Sequence, residues 1–301
     1  MPDETSSTGA SINLDAGKAV ITYKRPALLS LCLASVALQR NPLGSMEVFV
    51  IDDCPQGSAE TVVQEVAPQF EAHGIPLRYV QQGGQGLASA RNRAVAEIEC
   101  DIICFMDDDQ RACPNWLSNL MLPFQSLGDL VDIVAGENEP DFGEAARPEW
   151  LDDEHLKLYS CGARWDVEPR FMQPGEWLFE GNCAVRRKIL QGLSFDPALG
   201  RSGSNLISNE GVIYDIARHR GASAYYMPKA QVHHRIHSER LNKRWLLKRN
   251  FYQGVSDFLV DRMLGRRRRV SEITVDFARI NHKDVDKLEP FPPISTREDL
   301  A

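Results

Sequence analysis

Three consecutive carboxylates, Asp107-Asp108-Asp109, directly follow the apolar run Ile102-Ile103-Cys104-Phe105-Met106. A run of that length and composition reads as a buried strand. In an open parallel sheet, ligands bind beyond the carboxyl ends of the strands, which is where these acids fall. If the extended geometry persists, Asp107 and Asp109 point to the same side. Two hard oxygen ligands there suit Mg²⁺ or Mn²⁺ carrying a phosphorylated substrate. The competing reading is an acidic turn capping the helix that begins near Pro114-Asn115-Trp116. Further groups with chemical potential are Asp52-Asp53 after another apolar run, Arg91 after the turn Gly83-Gly84-Gln85-Gly86, Glu210, and the adjacent His233 and His234. The two histidines face opposite ways in a strand, so at most one of them can be a ligand.

The elements that must position these groups alternate. Ala19-Val20-Ile21 reads as a strand leading into Thr22-Tyr23-Lys24-Arg25-Pro26, and Pro26 suits the first turn of a helix. Leu28 to Leu38 has helical spacing and stops before Asn41-Pro42. Strands follow over Met46 to Ile51 and Pro76 to Gln81, and helices over about Ser58 to Phe70 and Leu87 to Ile98. This strand–helix alternation predicts right-handed parallel crossovers and a nucleotide-binding half-domain. No GxGxxG follows the first strand and no GxxxxGK[ST] occurs, which disfavours a dinucleotide cofactor and a P-loop NTPase. The second half is less regular. Asp132 to Ala135 reads as a strand, Ala224 to Met227 and Lys229 to His234 as two extended pieces, and Val212 to His219 as a helix closed by Gly221. A basic helix is expected from about Glu239 to Leu264, with Leu241, Trp245, Tyr252, Val255, Leu259 and Met263 on its apolar stripe.

With 301 residues, 43% of them hydrophobic and 25% charged, the chain can bury a sizeable core. Its net charge of -8 argues against nucleic acid as the main partner. Seven cysteines without zinc spacing read as thiols in a reducing compartment. Residues 1 to 17 are polar and Ser/Thr-rich and read as a disordered lead-in without signal-peptide character. A cytoplasmic location is expected. The run Arg266 to Arg269 is either a solvated terminus or, with the basic helix, a peripheral contact with anionic lipid at the inner membrane face.

Taken in order, Thr22-Tyr23-x-Arg-Pro, Val-Phe-Val-Ile-Asp52-Asp53, Gly86-x-x-x-Ala90-Arg91-Asn92, Phe-Met-Asp107-Asp108-Asp109, Gly181-Asn182-x-Ala-Val-Arg-Arg, Asn209-Glu210 and Pro228-x-Ala-x-Val-His-His resemble the inverting GT-A glycosyltransferases of family 2. The resemblance covers about residues 18 to 255. It implies an α/β GT-A fold, a Rossmann-like, mostly parallel sheet flanked by helices. The implied domain spans residues 18–235, with a nucleotide-binding half (18–110) and an acceptor half (111–235). Residues 236–301 would form a basic helical extension and tail.

The implied activity is transfer of a sugar from a nucleotide-diphosphate sugar, a UDP-sugar first, to the hydroxyl of a glycan, lipid-linked or small-molecule acceptor. By the same resemblance Tyr23 and Asp53 contact the base, with Thr22 beside them, while Gly86 and Arg91 lie along the nucleotide. Asp107 lies towards the ribose, with Asp108 next to it. Asp107 and Asp109 with His234 make the metal site for Mn²⁺ or Mg²⁺, and Glu210 is the general base. The sequence departs from the family pattern at Ile-Thr-Tyr-Lys, at Asn209-Glu210 in place of a Glu-Asp pair, and at Gln110, where a further acid is usual.

Each residue also has a plainer reading. Asp52-Asp53 would cap a helix, Arg91 would be a surface charge, His234 a structural histidine, and Glu210 a helix-start carboxylate. Trp150, Trp165 and Trp177 would be core, with Trp150 and Trp177 the candidates for acceptor walls. The dense acids of 137–154 would attract a cationic acceptor. The alternative functions are a sugar-phosphate nucleotidyltransferase and a non-catalytic nucleotide-sugar-binding module.

Overall fold

In the computed structural model, which describes residues 13–201, 206–207 and 211–265, the apolar runs of the first half become neighbouring strands. The order along the chain is β1 (Ala16–Thr22), α1 (Pro26–Ala37), β2 (Met46–Asp52), α2 (Glu60–Glu71), β3 (Leu77–Gln81), α3 (Leu87–Glu97) and β4 (Ile102–Asp107). Then come β5 (Gln110–Ala112), α4 (Trp116–Leu127), β6 (Ile133–Asp141), β7 (Arg170–Phe171), β8 (Asn182–Arg186), α5 (Val212–His219), β9 (Ala224–Arg235) and α6 (Lys243–Met263). The sheet runs β3-β2-β1-β4-β8-β6-β9-β5, with β7 also on β9. β1 to β4 are mutually parallel, β8 is antiparallel to β4 and β6, and β6 is parallel to β9. The fold is thus α/β around a mixed, mostly parallel sheet.

Side chains alternate between two apolar layers, as the period of two requires. Ile102, Cys104 and Met106 face α1, α2 and α4, with Leu29, Val66, Trp116 and Leu120 among their neighbours. Ile103 and Phe105 face α3 and α5, with Ala90, Ala94 and Tyr214. α1 begins at Pro26, which supplies the fixed φ of a first turn. All seven cysteines are free thiols, five of them buried.

Four expectations change. β1 starts at Ala16, inside the stretch read as a disordered lead-in, because Ala16 and Gly17 pair with Met46 and Glu47 and Ser45 N–H holds Asp15. β6 extends to Asp141, so the first of the dense acids lie on a strand. The two extended pieces after Gly221 form one strand, β9. Pro228 is accommodated where the register slips from Ala135↔Tyr226 to Glu137↔Gln231, a bulge at which no ladder donor is required. In α6 the buried positions are Leu246, Leu247, Arg249, Ser256, Val260 and Asp261, whereas Met263, placed on the expected stripe, is exposed. Residues 266–269 lie outside the described residues.

Candidate active site

Register brings the acids together. Thr22 stands opposite Asp52, and Ile21 opposite Asp107, so β1, β2 and β4 end at one edge of the sheet. The two carboxylates of the Asp52-Asp53 pair have different duties. Asp52 accepts from the backbone N–H groups of Cys54 (2.9 Å) and Ala59 (2.8 Å) and from the Tyr79 hydroxyl (3.1 Å). It therefore ties down the turn into α2, the capping role weighed for the pair. Asp53 accepts from the N–H groups of Gly84 (3.2 Å), Gln85 (2.9 Å) and Gly86 (2.9 Å). It shapes the glycine-rich turn, and Gly86 enters α3 at φ +91°, a conformation open to glycine. Tyr23, just past the end of β1, is half exposed.

The extended geometry does not persist through Asp109. β4 stops at Asp107, residues 108–109 turn, and Gln110 pairs with His234 across β5 and β9. Asp107 and Asp109 consequently keep different company. Asp107 remains partly open to solvent and meets Arg91 Nη2 at 3.4 Å. Arg91 is 1% exposed, so it is no surface charge. A β-carbon on Gly181 would collide with the Asp107 carboxylate and crowd Gln110, so glycine there is what lets the chain pass.

Asp108 and Asp109 turn inward. Asp108 accepts from Thr22 Oγ1 at 2.7 Å and from Arg25 Nη1 at 3.0 Å. The same Arg25 Nη1 reaches Asp109 Oδ2 at 2.9 Å, and His234 Nε2 lies 3.1 Å from Asp109 Oδ1. Burial, then repulsion from Asp109, push the Asp108 carboxyl up to about 6. Burial also opposes charge on Asp109, but His234, His237 and Arg25 outweigh it and hold Asp109 well below the usual carboxylate range. Burial opposes charge on His234 likewise, yet Asp109 raises it well above an ordinary histidine. The pair is a buried imidazolium–carboxylate.

His234 is fully engaged, since its Nδ1 meets Cys161 Sγ at 3.4 Å. His237 stands nearer the opening, with Nε2 3.7 Å from Asp109 Oδ2 and no hydrogen bond on that atom. Arg240 is half-buried within electrostatic reach of Asp109, Arg201 and Arg25, and partial burial, with repulsion from the two arginines, lowers its pKa. Arg25, His237 and Arg240 were missed as site residues from sequence. Arg25 was visible within Thr22-Tyr23-x-Arg-Pro, and His237 as a third imidazole three residues after His234.

Among the described residues no three His, Cys, Asp or Glu side chains are gathered as an ion cage. A nucleotide-borne cation needs no such cage, because one or two protein ligands act together with substrate phosphates. Asp109 and the unbonded Nε2 of His237 are a donor set that fits such an ion.

Glu210 lies outside the described residues. Its successor Gly211 is described, and a β-carbon there would strike the Glu180 carboxylate, so a second acid stands beside Gly211. A cleft of about 870 Å³ opens here, walled in part by Phe171, Trp177, Phe179, Tyr214, Glu180 and Asp215. Trp177 lines it, whereas Trp150 packs against the Leu151–Leu156 cluster instead. Of the eight acids expected to draw a cationic acceptor, four are paired with arginines. Glu137 and Glu139 both pair with Arg164, Asp141 with Arg235, and Asp153 with Arg147.

Comparison with known proteins gives a family model and relatives. The model described as glycosyl transferase family 2 matches residues 19–190, more than half of the chain. The succinoglycan biosynthesis protein ExoM of Rhizobium meliloti is 26% identical over 259 residues, covering 84% of this chain and 75% of that protein. The glucosyl-dolichyl phosphate glucuronosyltransferase of Haloferax volcanii is 27% identical over 180 residues, 59% of this chain and 56% of that protein. Among solved structures, the mannosyltransferase PcManGT of Pyrobaculum calidifontis, in complex with GDP-Man and Mn²⁺, superposes with a TM-score of 0.56 at 16% identity. That likeness covers 92% of this chain and 72% of the mannosyltransferase. S. aureus TarS 1-349 superposes with a TM-score of 0.52 at 14% identity, over 86% of this chain and 68% of that one. At these identities the structural likeness is one of fold, and the fold is GT-A.

Proposed function

The chain belongs to glycosyl transferase family 2, and from that membership we propose that it is a metal-dependent inverting transferase moving a sugar from a UDP-sugar to an acceptor hydroxyl. The observation that carries this reading is the convergence, at one sheet edge, of Asp107, Asp108 and Asp109 with Arg25, Arg91, His234 and His237. Membership in the family sets aside the nucleotidyltransferase alternative. Retention of the three acids counts against a module that binds without turnover.

In this reading the Tyr23 ring covers the base, and the turn held by Asp53 lets the backbone approach it. Asp107, steadied by Arg91, faces the ribose, with Thr22 and Asp108 behind it. Asp109, oriented by His234 and joined by His237, would hold Mn²⁺ or Mg²⁺. When bound, that ion would supply electrostatic stabilisation of the departing diphosphate. Glu210 takes the proton of the acceptor hydroxyl as its oxygen attacks the anomeric carbon, and inversion follows from direct displacement. Glu180, whose carboxylate stands against Gly211, is the second acid to test for that role.

The acceptor is a glycan, lipid-linked or small molecule. The name of the Haloferax relative makes a lipid-linked sugar the first class to try. Among the described residues no helix is long and apolar enough to cross a membrane. In this reading contact with lipid is peripheral, through the basic α6 and Arg266 to Arg269. Titration calorimetry with UDP, GDP and dTDP, each with and without Mn²⁺, tests the donor. UDP binding that depends on Mn²⁺ is expected. A preference for GDP would move the donor class, and no binding by any of the three would sink the reading. Glu210→Gln should abolish transfer while keeping nucleotide binding, whereas loss of transfer only in Glu180→Gln would reassign the base.

A further inference from the structure

We infer that Arg25 is a latch on the Asp108–Asp109 carboxylates, competing with the divalent cation for Asp109 until a bound diphosphate draws the guanidinium away. The inference rests on the metal-dependent reading above and adds an order of events to it. One nitrogen, Arg25 Nη1, spans both acids, at 3.0 Å from Asp108 Oδ1 and 2.9 Å from Asp109 Oδ2. The other oxygens are already committed, Asp108 Oδ2 to Thr22 and Asp109 Oδ1 to His234. The Asp109 oxygen facing His237 is therefore the one that Arg25 holds. A cation joining Asp109 and His237 would compete with Arg25 for that oxygen.

The guanidinium has both a reason and the freedom to move. Its side chain is one-third exposed, at 34%, while the acids it bridges are nearly buried. It lies at the mouth of α1, just before the first helical turn, where the chain turns out of β1. Arg201 and Arg240 are within electrostatic reach of each other, and Arg25 acts on Arg240 too. Three like charges crowded at one place favour an incoming dianion, and a guanidinium fork suits phosphate oxygens. Cation loading is thus coupled to arrival of the diphosphate. A free divalent ion meets a carboxylate that is already neutralised.

The test is Mn²⁺ binding to the purified protein alone, read by electron paramagnetic resonance titration, with no turnover required. Arg25→Met should bind Mn²⁺ about tenfold more tightly than the wild type, the ratio expected when one charge-assisted contact stops competing. Arg25→Lys should return towards the wild-type value, and adding Asp109→Asn to Arg25→Met should remove the gain. Circular dichroism establishes that each variant is folded. Binding by Arg25→Met no tighter than wild type, or a gain that survives Asp109→Asn, overturns the latch.

A second arm titrates UDP and GDP at saturating Mn²⁺, where Arg25→Met should lose about tenfold in affinity for whichever nucleotide the wild type binds. Unchanged affinity overturns the second half of the inference. If wild-type nucleotide binding proves indifferent to Mn²⁺ and collapses in Arg25→Met, the arginine replaces the ion rather than yielding to it, and the latch is also overturned. Failure of both nucleotides to bind the wild type with Mn²⁺ sinks the donor reading. The Mn²⁺ comparison in the protein alone still decides the latch.

Discussion

Lys18 is the one core residue on β1 whose chemistry opposes its position. Its ammonium is fully buried, makes no hydrogen bond, and lies 3.6 Å from the centre of the Trp116 ring. Burial drives its pKa down from the ordinary 10.5 to about 7, offset only weakly by Cys32 and Cys104. Between those two values the unfolded chain holds a proton that the native lysine has released, so native stability rises with pH across this window. The cost is complete below pH 7 and gone above pH 10.5, and amounts to roughly 4–5 kcal/mol by the size of the depression. Lys18→Met should therefore stabilise the protein strongly at pH 6 and hardly at all near pH 10.5, by urea unfolding at both values. An equal gain at both would show that the ammonium is not the source. The neighbouring carboxylates Asp52 and Asp53 separate stability from binding in the same way. Asp52→Ala strands two buried N–H groups at the head of α2 and should cost about 2–4 kcal/mol of stability. Asp53→Ala loosens the turn at Gly84 to Gly86, and should weaken UDP by about tenfold in calorimetry with a smaller loss of stability. Reversal of that ranking would exchange the two roles.

The elements differ in how plainly they announce themselves. β2 and β4 are apolar runs with a polar stop, and α1 carries its own proline, so pattern alone places them within a residue or two. β5 and β7 have three and two residues, too few for any period to show, and exist because β9 offers them an edge. The stripe expected on α6 is realised in part, since Leu241 and Trp245 pack against one cluster and Leu259 against another while Met263 is exposed. Leu246 packs with Leu156 and Tyr159, while Val260 packs with Leu199 and Val212, so the helix serves two clusters rather than one continuous face. At the site, the acids were legible because strand ends are where ligands go, but Arg25 and His237 reach Asp109 across 84 and 128 positions of sequence. No local spacing encodes such a meeting. The turn into β8 shows the same dependence on distant structure. Gly181 opens the Gly181-Asn182 motif in the sequence without showing why, and in the structure a β-carbon there would strike Asp107 and crowd Gln110. Gly181→Ala should displace the Asp107 carboxylate from Arg91 and lower UDP affinity by about tenfold or more in calorimetry. Unaltered affinity would mean that Asp107 has room the structure does not show.

Over the whole molecule, one sheet carries both halves of the site. Asp109 leaves the end of β4 in the parallel half, while His234 and His237 come from β9 and the turn beyond it, on the far side of β8 and β6. The boundary expected near residue 110 therefore runs through continuous hydrogen-bonded structure, since β4 pairs with β8 and β5 with β9. The two apolar layers likewise mix the halves, with Ile103 and Phe105 against Tyr214 and Tyr226. Such a sheet should melt as a unit, and a ligand that touches both ends of it should shift the whole transition. An acidic chain, at net -8, that gathers arginines and imidazoles around its donor edge also focuses attraction for an anion on one place. UDP with Mn²⁺ at about a hundred times the dissociation constant should add about 2.7 kcal/mol of apparent stability. For a domain of this size that moves the melting temperature by roughly 4–6 °C. Scanning calorimetry should show a single transition displaced entire, with the shift reduced in 0.5 M salt and lost in Asp109→Asn. Two resolved transitions, only one of them moved by the nucleotide, would mean that the halves fold separately and that His234 and His237 do not share the donor with Asp109.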